Sequence, residues 1–118
     1  MQGLFAALSL HIMLRGEKRI YPSAVQAALQ QYAIDFGDRR VMAGVHYPSD
    51  SMITWLICDE LIPKVFAQPE QKAARKFLKA SIRRSRLWRC VSVAERKDIK
   101  CVEYRELLDA VDNLIANN

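Results

Sequence analysis

Apolar residues recur at intervals of three and four along most of the chain, and alternating β-branched runs occur nowhere at useful length. The pattern predicts an all-α protein, a helical bundle of about five helices. Residues 2–14 read QGLFAALSLHIML and are apolar nearly all round, which predicts a buried helix. Gly16 should end it, because glycine tolerates the left-handed conformation that closes a helix. Pro22-Ser23 opens a second helix, with Ser23 and Gln26 spaced as a capping box. Its apolar stripe is Val25, Ala28, Leu29, Tyr32 and Phe36, and it should run to Val41 or Met42, with Gly37 as a weak point.

Gly44 and Tyr47-Pro48 break that helix, and the residue before a proline is pushed to extended angles. Ser49 is placed to cap a third helix reaching about Ile62, with Ile53, Leu56, Ile57 and Leu61 on its apolar face. Pro63 should kink or end it. Pro69 suits the first turn of a fourth helix. Ala74, Phe77, Leu78 and Ile82 form its apolar side, and Arg75, Lys76, Lys79, Arg83 and Arg84 crowd the remainder. Ser92 and Glu95 are spaced to cap a short helix. A last helix covers 102–116, with Tyr104, Leu107, Leu108, Val111 and Leu114 in register.

The length of 118 residues fits one helical domain, 1–118, since domains commonly run ~100–150 residues. An apolar fraction of 51% and a charged fraction of 26% argue against wholesale disorder. No apolar run approaches the ~20 residues of a membrane span. The apolar opening lacks a basic leading region, which argues against a secretory signal. Cys58, Cys90 and Cys101 are odd in number and form no C-x-x-C unit, so no metal site is expected. Reduced thiols in the cytoplasm are the simplest reading.

Charge changes the picture in one place. The net charge is +5, but residues 72–105 hold twelve Lys/Arg against three Asp/Glu. Such a segment suits nucleic acid, an anionic membrane surface or an acidic partner. A solvated helix face is the more economical reading, because no aromatic ladder interleaves the charges to stack bases.

The segment 39–50, RRVMAGVHYPSD, is where chemistry concentrates. Arg40 offers a planar donor fork that suits phosphate. His46 lies in a helix break, and Asp50 follows four residues later, one turn away. A carboxylate so placed can hold one imidazole nitrogen and leave the other free to attack. The helix beginning near Ser49 would present free N–H groups to an anion. From residue types alone the favoured reading is the plainer one, a surface ion pair between Arg40 and Asp50 with His46 filling the turn.

RRVMAGVHYPSD resembles the third signature of the type-2 phosphatidic acid phosphatase and vanadium haloperoxidase superfamily: Ser-Arg, five residues, His, three residues, Asp. The spacings from Arg40 to His46 and from His46 to Asp50 match, and AGVHYPSD follows the wording of bacterial members. Arg39 stands where the signature has serine, a departure that bears on one phosphate or backbone hydrogen bond. The resemblance covers residues 1–62; the basic C-terminal region 69–118 carries no family motif.

That resemblance implies an all-helical, acid-phosphatase-like hydrolase of phosphoric monoesters, with a phosphate-containing small molecule as substrate. His46 would form a phosphohistidine, Asp50 would orient it, and Arg40 would bind the phosphoryl oxygens. No cofactor is required, although vanadate would fit the anion site, as in the haloperoxidase relatives. Two upstream signatures of the family, one cationic and one Pro-Ser-Gly-His, are missing. The second would fall about at Met1, so the chain resembles the C-terminal part of a member, incomplete for catalysis. His11 is the one internal candidate for the absent acid, but it lies ~15 Å along the first helix, and a buried or interface role is expected. The alternatives are a helical interaction module, in which exposed apolar surface favours a homo-oligomer, and nucleic-acid binding through 72–105.

Overall fold

In the computed structural model, residues 2–44 and 46–117 are described, and they contain six α-helices and no strand. They are α1 (Gln2–Leu14), α2 (Ser23–Met42), α3 (Pro48–Val65), α4 (Gln68–Arg83), α5 (Arg86–Val91) and α6 (Val102–Ala116). A 3-10 turn, Arg96–Asp98, bridges the last two. No described helix is long and apolar enough to cross a membrane.

Helix α4 is the hub, packing against α1, α2, α3, α5 and α6. Its sequence explains why. Ala74, Phe77, Leu78 and Ile82, the expected apolar side, are all buried, and Ser81 joins them. Ser81 satisfies its hydroxyl within the helix, donating to the Phe77 carbonyl at 2.8 Å. Against this face lie Leu4, Ala7 and Leu8 of α1, Ile34 of α2, and Met52, Trp55, Cys58 and Ile62 of α3, with Leu108 and Val111 of α6. Trp88 of α5 meets Trp55 edge-on, with ring centroids 6.2 Å apart.

The helix ends follow local chemistry more loosely than the spacing predicts. Gly16 (φ 97°) and Gly44 (φ 79°) take left-handed angles just beyond α1 and α2. The Ser23–Gln26 capping box does not form: Pro22 occupies the cap position of α2 without a side-chain bond. Ser49 does not cap α3 either. Tyr47 is the extended cap residue, Pro48 takes the first turn, and Asp50 accepts the Tyr47 N–H at 2.9 Å. Pro63 falls inside the last turn of α3, which ends at Val65. Ser92 closes α5 instead of opening a helix. The cap that does form is Ser85, which accepts the Trp88 N–H at 3.0 Å.

Two helices are rotated from their expected faces. In α2 the stripe residues Val25, Tyr32 and Phe36 are exposed, and Gln30, Ala33, Ile34 and Asp38 point inward. In α3 Ile53 and Ile57 are exposed, and Ser51, Met52, Trp55, Cys58 and Ile62 are buried. Helix α1 is buried along one side only: Leu10 is 42% and Met13 76% exposed.

Candidate functional site

The C-terminal end of α2, the turn after it and the first turn of α3 enclose a cleft of about 560 Å³, with the start of α1 contributing Gly3 and Leu4. Glycine makes the approach of α2 to α3 feasible at one point. A Cβ on Gly37 would stand 3.1 Å from Ser51 Oγ, so the residue that weakens α2 as a helix former also lets α3 come close. Phe36 sits over Gly3 in the same way, where a Cβ would come within 3.2 Å of its ring.

Arg40, His46 and Asp50 all line this cleft, together with Thr54 and Trp55. His46 Nδ1 lies 3.4 Å from Asp50 Oδ2, and both side chains are partly exposed. The imidazole is therefore turned so that Nδ1 faces the carboxylate and Nε2 does not. Asp50 is thus paired with His46, and among the described residues it makes no ion pair with Arg40. Val45, inside the motif, lies outside the described residues. Helix α3 does begin at the cleft, yet its end is not vacant: the Asp50 carboxylate already takes the Tyr47 N–H. A carboxylate there competes with any external anion for the positive end of the helix dipole.

His11 is buried and remote from this cleft. It shares a 2.6 Å hydrogen bond with Tyr21 Oη and stacks on Phe77, with ring centroids 4.5 Å apart. Burial, and secondarily the charge of Arg15, holds its pKa below the usual histidine range. Burial likewise raises the Tyr21 phenol. The pair is a satisfied polar contact inside the bundle, as expected for a histidine that is not the missing acid.

A second polar cluster went unread in the sequence. Asp38, 3% exposed, accepts the Ser85 hydroxyl and the Arg86 N–H, each at 2.8 Å. It thereby caps α5 from across the bundle. Beside it, Arg84 Nε donates to Gln30 Oε1 at 3.0 Å. The one local cue was Ser85 ahead of a short apolar-basic run; nothing local ties it to Asp38, 47 residues earlier.

The cleft thus gathers a guanidinium, an imidazole and a carboxylate, a set able to bind an oxyanion and to offer one nucleophilic nitrogen. No family model, curated protein or solved structure matches the chain.

Proposed function

We propose that the cleft between α2 and α3 is a phosphoryl-oxyanion site of the phosphatidic acid phosphatase and haloperoxidase type. The supporting observation is that Arg40, His46 and Asp50, the three residues matching the third signature, line one cleft. In this reading Asp50 holds His46 Nδ1, and the free Nε2 attacks phosphorus as the ester P–O bond breaks. The alcohol leaves taking a proton from water, and Arg40 neutralises the phosphoryl oxygens. Water then hydrolyses the phosphohistidine to release phosphate. The substrate is a small phosphate ester, and vanadate is its analogue.

The site is weak in this chain for a physical reason. Arg40 is the one Lys or Arg lining the cleft among the described residues, and α3 already carries a carboxylate at its start. Each charge-assisted hydrogen bond lacking from the family pattern removes roughly 1.5–3 kcal/mol of binding. A nucleophile without a leaving-group acid forfeits about 10²–10⁴-fold in rate. The exposed apolar residues Tyr32, Phe36, Ile53 and Ile57 lie on the two helices that form the cleft, and self-association is the simplest way to cover them.

Vanadate titration followed by NMR tests this reading. Millimolar vanadate should shift the His46 imidazole and Arg40 guanidinium signals, and Arg40→Ala should abolish the response. Shifts elsewhere, or unchanged shifts in Arg40→Ala, would remove the site. Hydrolysis of p-nitrophenyl phosphate should be barely above background. Robust turnover lost in His46→Ala would instead show a complete enzyme.

A further inference from the structure

The basic segment 72–105 does not act as one patch. Arg84 is engaged with Gln30, Arg89 donates to the Arg84 carbonyl at 3.0 Å, and Arg96 forks between Asp109 and Asp112 of α6. Arg86, Lys100 and Arg105 also make no ion pair among the described residues, but the open cations gather in one place only, along a stripe on α4. Lys72, Arg75, Lys76, Lys79 and Arg83 line a concave groove of about 630 Å³. Arg75 leans 3.6 Å from Asp59, and Arg83 donates to the neutral Ile115 carbonyl. Among the described residues, no carboxylate lies within ion-pair distance of Lys72, Lys76, Lys79 or Arg83.

Lys79 is the informative member. It is 8% exposed, yet it lines the groove, and no acceptor partners its ammonium among the described residues. Its aliphatic stem packs into the bundle while the ammonium keeps contact with the groove, where it is free to meet an anion. We propose that this groove binds the sugar–phosphate backbone of a nucleic acid without reading its bases.

Three features choose that ligand. From Lys72 to Arg83 the stripe runs ~16 Å along the helix, which spans about five phosphates of one strand at ~3.4 Å each. The remaining lining residues, Gln68 and Gln71, are neutral hydrogen-bonding groups suited to phosphate or sugar oxygens. No aromatic ring lines the groove to stack on bases, and no apolar residue lines it to enter a bilayer.

The test is fluorescence anisotropy of the full chain with a labelled 20-nucleotide RNA and a labelled 20-base-pair DNA of mixed sequence. With four unpaired cations, log K should fall against log salt with a slope of about −3 to −4. Scrambling the sequence should change affinity by less than about threefold, since backbone contacts carry no sequence information. Lys72→Gln with Lys76→Gln, both exposed positions, should weaken binding about tenfold and flatten the salt slope by about two, and Lys79→Gln should flatten it by about one. Arg86→Gln with Lys97→Gln removes equal charge outside the groove and should change little. His46→Ala should bind as wild type, which separates this groove from the cleft. Circular dichroism confirms that each variant is folded. Equal losses in the outside variant would show diffuse charge and overturn the proposal. So would absence of binding at 50 mM salt, or binding to phosphatidylglycerol vesicles without binding to either nucleic acid.

Discussion

Helices α4 and α6 turn inward the apolar faces their sequences present, whereas α2 and α3 turn much of theirs outward. Phe77, Leu78 and Ile82 of α4 are at most 1% exposed, but Tyr32 and Phe36 of α2 are 58% and 49% exposed. The contrast arises because α4 sits at the centre with five helices around it, while α2 lies at the side and buries Gln30, Ala33, Ile34 and Asp38, of which Ile34 alone is a large apolar residue. Burial follows where a partner lies, and the outward faces of α2 and α3 are on the helices that form the cleft. Amphipathic strength therefore identified the structural centre, and the mismatch between apolar pattern and burial identified the region with unfilled contacts.

The largest expected effect tests that contrast directly. Phe77→Ala should cost about 3–5 kcal/mol, because it empties a fully buried site and removes the ring under His11. Phe36→Ser should stay within roughly 1 kcal/mol, as it removes a half-exposed ring. Urea denaturation gives both values, and equal losses would erase the distinction. Phe36→Ser should also reduce light scattering across a dilution series; a wild-type chain that is monomeric at high concentration would sink the self-association claim.

Next in size is the clasp between α2 and α5. Asp38→Ala leaves the buried Ser85 hydroxyl and the Arg86 N–H without their acceptor. Hydrogen bonds to a charged group are worth ~1.5–3 kcal/mol, so a loss in that range is expected from denaturation. A loss below 0.5 kcal/mol, on the order of an ordinary surface substitution, would mean that α5 docks through Trp88 alone.

A smaller effect is expected with pH. The folded-state pKa of His11 lies below its unfolded value of 6.5. The unfolded chain then binds the proton more readily, so His11 contributes stability that is fully present above pH 6.5 and declines as the pH falls below it. Urea midpoints between pH 8 and pH 5 should fall in the wild type and fall less in His11→Gln. Parallel profiles would assign the acid sensitivity to other groups.

The last prediction leaves stability untouched. Cys90 and Cys101 are exposed and should react with a thiol reagent in the folded protein. Cys58 is buried, and burial pushes its thiol up to about 12. It should react only after denaturation. A third thiol titrating at the rate of the first two would place α3 differently.

The fold was legible wherever periodicity was strong and uncontested. The limits of the last helix, 102–116, and the buried side of α4 follow from i, i+3, i+4 spacing alone. The broken backbone at Gly44 and the extended Tyr47 follow from glycine and proline stereochemistry. The candidate site was legible as a motif, and its three residues do share one cleft. The caps were less legible, because Ser23, Ser49 and Ser92 each satisfied a spacing rule while Pro22, Tyr47 and Ser85 took the cap positions.

The sequence by itself determined which segments are helical, where the chain must turn, and that Arg40, His46 and Asp50 fall at the end of one helix and the start of the next. Those properties depend on neighbours within about one turn. Only the tertiary structure decided that Asp50 pairs with His46 instead of Arg40, that Asp38 caps a helix 48 residues away, and that α4 alone keeps a row of open cations. Each of these depends on which distant group arrives to satisfy a charge or cover a face, and no local pattern encodes that arrival.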